Sequence, residues 1–169
     1  FWDYFYGKFG EDKKEHFHLF DDFYNTDFLM AKSCCKENPY AREIMDFLKS
    51  NGVLAVLASR PVFPHNGMVN RAGFVGLKEE DFAHITDYSV CSYSKPNPKY
   101  YAEVLNRLGL EAQECVMVGN DVGDDMVAKE LGIKVFLLTD NLINKTETDI
   151  SVFPNGNFEK LFKFFDDLL

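Results

Sequence analysis

Three segments of the chain place polar side chains next to apolar runs. Ser59 follows the apolar run 53–58, and the aspartate-rich segment 119–125 follows the apolar run 115–118. Between them, Lys95 stands just before an Asn-Pro pair that is typical of a helix start. If the apolar runs are strands of a parallel sheet, their carboxyl ends gather these side chains at the edge where such sheets bind ligands.

The chemistry that these residues could perform is phosphate binding. The Ser59 hydroxyl can donate to a phosphate oxygen, and Lys95 adds a positive charge where a helix dipole already favours an anion. Asp121 and Asp125 offer carboxylate oxygens, which Mg²⁺ binds at about 2.0–2.1 Å. Arg60 either adds charge to the same site or points to solvent. None of these residues is an evident nucleophile.

Each assignment has an ordinary structural alternative. A serine at a strand end often only satisfies a turn, and a single lysine is usually solvated, although the helix start beside Lys95 favours a fixed position. Aspartate is favoured in the first turn of any helix, and Asp124 fits that explanation best. Asp121 is the better metal ligand and Asp125 the better second acid; in an alternative register, Asp124 is the second acid.

The elements that must position these residues alternate between helix and strand. Short apolar runs are typical of parallel strands that are buried on both faces, and helices are expected between them from apolar periodicity and glycine stops. This order predicts right-handed crossovers and an open parallel sheet, which is an α/β fold. The predicted helices are 41–50, 98–108, 124–131 and a last helix capped by Asn157; the predicted strands are 53–58, 84–86, 115–118 and 134–138.

The first forty residues differ from the rest of the chain. Aromatic and leucine side chains recur there at three- and four-residue spacing, and charges such as those of 11–15 fill the other face, which predicts two amphipathic helices. A stripe of this kind usually serves packing. The segment 61–73 contains several helix breakers and is predicted to be a loop, with or without a short helix.

Composition excludes several classes of protein. The chain has 169 residues with 18 Lys+Arg and 27 Asp+Glu, a formal net charge of −9, so nucleic acid is a poor partner. No apolar run approaches the roughly 20 residues of a membrane span, and we expect a cytoplasmic protein without a membrane partner. The cysteines and histidines lack metal-ligand spacing, so we expect reduced thiols and histidines that are surface or satisfied core residues.

In their order along the chain, these segments resemble the haloacid dehalogenase-like (HAD) hydrolase superfamily. Ser59 matches its second motif, Lys95 its third, and Asp121 with Asp125 its fourth, which is two acids with three residues between them. The resemblance implies Mg²⁺ as the cofactor and a small phosphorylated metabolite as the substrate. Carbon–halogen and phosphonate cleavage occur on the same fold, but an acid cluster suited to Mg²⁺ favours phosphate.

The superfamily's first motif has no counterpart before Ser59. In the superfamily, this motif is a strand ending in Asp-x-Asp, whose first aspartate attacks phosphorus and whose second is a general acid/base. The resemblance makes 1–38 part of a small helical cap and 39–169 a Rossmann-like core without its first strand. We therefore expect a chain that begins downstream of its nucleophile and is inactive alone, with 53–58 not paired to 115–118. The alternative is a degenerate, non-catalytic HAD fold that binds a ligand or partner.

Overall fold

The computed structural model describes residues 2–36 and 38–169. The chain folds into two compact units, residues 1–90 and 91–169. Each unit has its own parallel sheet, of two strands in the first and three in the second, which confirms the predicted α/β class. In the described part of the chain, no helix is both long enough and apolar enough to cross a bilayer. The boundary between cap and core at residue 38 stays a prediction.

The first unit begins with two helices that pack through aromatic rings, as the spacing predicted. The Trp2 ring centroid lies 4.8 Å from that of Phe17 and 5.0 Å from that of Phe20. Each helix is followed by a 3₁₀ segment, which the periodicity did not indicate. In chain order the elements are α1 (Trp2–Phe9), a 3₁₀ helix (Glu11–His16), α2 (Phe17–Asn25) and a 3₁₀ helix (Asp27–Cys34).

The remainder of the first unit combines two helices with a short sheet. Its elements are α3 (Pro39–Ser50), β1 (Val56–Leu57), α4 (His65–Gly73) and β2 (His84–Ile85). The Asn38 side chain caps α3 by accepting from the amide of Tyr40. Helix α4 is the short helix that was left open for the segment 61–73, and both prolines of that segment, Pro61 and Pro64, precede its first residue.

Strand β1 is much shorter than the predicted strand 53–58. It pairs in parallel with β2 over two residues of each strand. Leu54 is 68% exposed, so this run is not buried on both faces as predicted. The length of a strand is set by the partner that it pairs with, and β2 ends one residue short of its own predicted limit. Apolar composition alone therefore overestimated the length of β1.

The second unit is a three-stranded parallel sheet in the order β3-β4-β5. β4 is central, and its residues 135–137 are buried, as expected for a parallel strand covered on both faces. β1 and β3 are strands of different sheets, as expected. The elements are α5 (Pro98–Leu108), β3 (Val116–Gly119), α6 (Val122–Asp125), a 3₁₀ helix (Met126–Leu131), β4 (Lys134–Leu138), β5 (Asn155–Gly156) and α7 (Phe158–Asp166).

Helix boundaries in the second unit follow local signals where those are strong. Asn97 caps α5 through its side chain, and Gly109 ends it in the left-handed conformation at φ 64°. The predicted helix 124–131 is only partly α-helical, since a 3₁₀ segment takes over at Met126. β5 was not predicted, because its two residues contain no apolar run and are held by backbone pairing to β4.

Candidate active site

The loop between β3 and α6 is built around Asp121, the N-cap of α6. Its Oδ1 accepts hydrogen bonds from the amides of Gly123 at 2.9 Å and Asp124 at 3.1 Å. These amides belong to the first turn, which leaves its N–H groups without partners inside the helix. The cap therefore uses Oδ1, and Oδ2 is the Asp121 oxygen that could bind a cation.

Asp125 lies one turn later and folds back onto the end of β3. Its Oδ2 accepts from the Asp121 amide at 3.0 Å, and its own amide donates to the Asp121 carbonyl at 2.8 Å. A Cβ atom on Gly119 would lie 2.1 to 2.4 Å from atoms of the Asp125 side chain. Only glycine at the end of β3 permits this approach. The sequence signal for it was a glycine standing between the apolar run and the aspartates.

Lys95 reaches the same carboxylate from the segment that leads into α5. Its Nζ donates to Oδ1 of Asp125 at 2.6 Å, and the two side chains are 5% and 8% exposed. Nζ also lies 5.5 Å from the centre of the Tyr101 ring. Because removing charges from water is costly, a buried ammonium needs a partner of this kind. The solvated alternative for Lys95 is thus wrong.

Tyr101 is a component of this site that the sequence did not indicate. Its hydroxyl donates to the main-chain carbonyl of Asp124 at 2.7 Å, and its side chain is buried. Burial, together with the nearby charge of Asp125, raises the pKa of Tyr101 far above its usual range, so the hydroxyl remains a proton donor. In the sequence, Tyr101 is simply one aromatic residue on a helix, and only the contact reveals its role.

Ser59 and Arg60 lie in the first unit, directly after β1. Ser59 is half-buried, and its amide donates to Oγ1 of Thr86 at 3.0 Å. Arg60 is exposed. The structure thus brings Lys95 together with the aspartates of 121–125 within the second unit and holds the backbone of Ser59 within the first.

A second polar cluster of the first unit centres on His65. Its Nδ1 lies 3.1 Å from Oδ2 of Asp87 and its Nε2 lies 2.9 Å from Oε1 of Glu79, beside a cavity of about 240 Å³. The hydrogen bond to Glu79 raises the pKa of His65; burial opposes this, and Asp87 adds to it. His65 is therefore a satisfied structural imidazole, as expected.

A divalent cation would take only part of its ligands from this chain. Within residues 2–36 and 38–169, no group of three or more His, Cys, Asp or Glu side chains has the geometry of a metal site. Asp125 already has one oxygen engaged by Lys95 and the other by the Asp121 amide. Such a set fits Mg²⁺, which commonly takes one or two carboxylates, substrate phosphate and several waters.

The sequence profile of the haloacid dehalogenase-like hydrolases matches residues 2–132. The chain belongs to this family. The matched range contains every candidate residue of the site, from Ser59 to Asp125. The resemblance inferred from the order of the motifs is therefore confirmed at the level of the family.

Solved HAD structures share the fold of this chain. A predicted phosphoglycolate phosphatase from Haemophilus somnus 129pt has a TM-score of 0.66 and 18% identity over 92% of this chain and 68% of that one. A HAD phosphatase from Thermococcus onnurineus has a TM-score of 0.61 and 21% identity over 76% of this chain and 57% of that one. A HAD-superfamily hydrolase from Ehrlichia chaffeensis has a TM-score of 0.60 and 20% identity over 78% of this chain and 58% of that one.

The lengths of these structures differ from that of the chain. The chain covers 68%, 57% and 58% of the lengths of the three solved chains, in the order given. At identities of 18 to 21% the likeness shows a common fold and nothing finer. No curated protein matches the sequence.

Proposed function

We propose that this HAD-like hydrolase is a Mg²⁺-dependent phosphatase of small phosphorylated metabolites. The observation that carries the proposal is the buried pair of Lys95 and Asp125, placed beside Asp121 at the carboxyl end of β3. A buried ammonium at the ligand-binding edge of a parallel sheet is suited to an anion. Two of the structures with this fold are described as phosphatases, which supports phosphate as that anion.

Lys95 is the residue that we assign to the transferring phosphoryl group. An ammonium has three N–H donors, and Asp125 accepts from Nζ along one direction. The remaining donors can bind phosphoryl oxygens, whose charge must be compensated as the bond to the leaving group breaks. Asp125 then acts on Lys95 by fixing the position of Nζ, and Tyr101 steadies the turn through the carbonyl of Asp124.

The carboxylates of the loop are assigned to the cation. Asp121 would hold Mg²⁺ through Oδ2, with Asp125, or Asp124 in the alternative register, as the second acid. When bound, Mg²⁺ compensates negative charge on the phosphoryl oxygens. Within the first unit, Ser59, with Arg60 as an optional neighbour, is assigned to phosphate binding from the loop after β1, as the resemblance to the family implies.

The proposed reaction has two displacements at phosphorus. A carboxylate oxygen attacks, the bond from phosphorus to the leaving oxygen breaks, and that oxygen takes a proton from a general acid. Water then attacks phosphorus and gives a proton back to the same acid, now a base; the bond from phosphorus to the carboxylate oxygen breaks, which releases inorganic phosphate and restores the carboxylate. We assign the attack and the proton transfer to the two aspartates of the superfamily's Asp-x-Asp motif, which no segment before Ser59 matches.

The test is phosphate release by the natural protein that contains these residues. We expect turnover of a panel of phosphorylated sugars and carboxylic acids that EDTA abolishes and Mg²⁺ restores. A protein that binds Mg²⁺ and inorganic phosphate but releases none from the panel would instead be the non-catalytic binding module. Turnover that EDTA leaves unchanged would overturn the assignment of the loop carboxylates.

A further inference from the structure

Thr86 is a buried threonine whose side chain contacts the backbone of the loop after β1. It is 0% exposed and directly follows β2. Its Oγ1 accepts from the Ser59 amide at 3.0 Å. The same hydroxyl donates a hydrogen bond to the carbonyl of Leu57 at 3.1 Å or to that of Ser59 at 3.0 Å. A single side chain therefore meets both the amide and the carbonyl of Ser59.

These contacts take the place of a sheet ladder. β1 pairs with β2 only as far as Leu57, after which the Thr86 amide donates to the Leu57 carbonyl at 3.1 Å. Beyond that point the next backbone group, the Ser59 amide, finds its acceptor in a side chain 27 residues later in the sequence. An amide that is shielded from water and lacks an acceptor is costly, so the Thr86 hydroxyl favours this position of the half-buried Ser59 backbone.

The residue next to Thr86 holds the other end of the same loop. Asp87 is 1% exposed, and its Oδ2 lies 3.1 Å from Nδ1 of His65, the first residue of α4. Its Oδ1 accepts from the amide and the hydroxyl of Ser89, which keeps the carboxylate in place. Two consecutive residues after β2 thus contact both ends of the loop 59–65.

We propose that Thr86 is a positioning residue for phosphate binding, acting through Ser59, with Asp87 and His65 holding the far end of the loop. The inference rests on the proposed function, because it assumes that Ser59 binds the phosphoryl group. Binding by a hydroxyl depends strongly on its placement, so a backbone that is free to shift loses affinity even when the hydroxyl itself is present.

The experiment compares Thr86→Val, which removes the hydroxyl at similar volume, with Thr86→Ser, which retains it. The probe is inorganic phosphate in the presence of Mg²⁺, titrated by calorimetry into the natural protein. We expect Thr86→Val to raise the Kd about tenfold or more, and Thr86→Ser to stay within about twofold of the parent. The matched control is Thr26→Val, because the Thr26 hydroxyl also donates to a backbone carbonyl, that of Asp22.

Amide hydrogen exchange gives a second measurement that does not depend on phosphate. The Ser59 amide should be protected in the parent protein and should exchange about tenfold faster or more in Thr86→Val, with protection kept in Thr86→Ser. An unprotected Ser59 amide in the parent overturns the proposal, even where Thr86→Val does not fold. Equal phosphate affinity in Thr86→Val and the parent overturns it as well.

Ser59→Ala distinguishes phosphate binding by Ser59 from the positioning role of Thr86. If Ser59→Ala weakens phosphate binding and Thr86→Val does not, the positioning role of Thr86 is wrong while the phosphate site stands. If Ser59→Ala binds phosphate as the parent does, the role of Ser59 in the proposed function is wrong, and the inference about Thr86 is wrong with it.

Discussion

The ammonium of Lys95 lies 2.6 Å from Oδ1 of Asp125, and both side chains are buried. The two residues are 30 positions apart in the sequence, so the pair exists only because α5 and the loop after β3 meet in the fold. Breaking such a pair leaves one charge buried without compensation, which is strongly destabilising. Variants of either residue therefore need a stability measurement beside the activity assay.

Replacing Lys95 by methionine should lower kcat of the natural protein by at least about a hundredfold. The variant keeps the length of the side chain and removes the charge that we assign to the phosphoryl group. Phosphate release measures the effect, with circular dichroism to check folding. The control is Lys99→Met, which removes an exposed lysine from the first turn of α5, the helix that follows Lys95. A change below about fivefold for Lys95→Met would contradict its assigned role.

Two substitutions of Asp121 distinguish its role as the N-cap of α6 from the role of its negative charge. Asparagine caps a helix about as well as aspartate, whereas alanine loses about 0.5–2 kcal/mol of stability. We expect Asp121→Asn to keep the melting temperature yet to need far more Mg²⁺ for activity, or to be inactive. Asp121→Ala should lose both stability and activity. Full activity of Asp121→Asn at the parent's Mg²⁺ concentration would show that the carboxylate does not bind the cation.

Adding one methyl group at Gly119 should displace the Asp125 carboxylate. A Cβ atom there would overlap the Asp125 side chain, and overpacking of this kind costs about 1–3 kcal/mol. We expect Gly119→Ala to lower the free energy of unfolding by that amount and to reduce turnover. Gly123→Ala is the control, because a Cβ atom there meets only Asp121 Oδ1, at 3.5 Å. Equal stability of the two variants would show that the loop relaxes freely.

The His65 cluster should make stability depend on pH. The pKa of His65 is raised above its ordinary value of 6.5, first by the hydrogen bond to Glu79 and then by Asp87. A raised pKa means that the folded state binds the proton more tightly, so the stabilisation is full below about pH 6.5 and is lost as pH rises through the folded-state value. Thermal melts between about pH 6 and pH 8 should show the decline.

The matched variant for that measurement is His65→Gln. Glutamine keeps hydrogen-bonding groups but carries no titratable proton, so the decline above pH 6.5 should flatten. His84→Gln is the control, since His84 lines the same cavity. A parent protein whose stability rises with pH over this range would contradict the assignment to His65.

A protein that consists of residues 1–169 alone should not hydrolyse p-nitrophenyl phosphate with Mg²⁺ present. No segment before Ser59 matches the superfamily's Asp-x-Asp motif, so we expect these residues to lack a nucleophile for the covalent step. Absorbance of p-nitrophenolate measures the reaction. Metal-dependent turnover that disappears in Asp121→Ala would place the nucleophile within residues 1–169.

Local signals in the sequence were sufficient for the features that depend on a few neighbouring residues. Asn97 and Gly109 bound α5 because a cap and a left-handed glycine act within one helical turn. The alternation of apolar runs and helices likewise predicted the parallel α/β fold, and the order of Ser59, Lys95 and Asp121 predicted the family.

Strand length and the contacts of the site depended on the tertiary structure. The run 53–58 is apolar throughout, yet only two of its residues pair, since a strand extends only as far as its partner does. Asp124 and Asp125 are equivalent in sequence, but the fold directs Oδ1 of Asp125 to Lys95 and the carbonyl of Asp124 to Tyr101.

The sequence by itself determined which residue types stand at the ends of the strands, because apolar periodicity and turn chemistry are local. Only the tertiary structure decided which of them touch. Thr86 accepts a hydrogen bond from the Ser59 amide, and Lys95 contacts Asp125, across separations of 27 and 30 residues. Contacts of that range are selected by burial, since a buried amide or ammonium must find a partner wherever the packed chain supplies one.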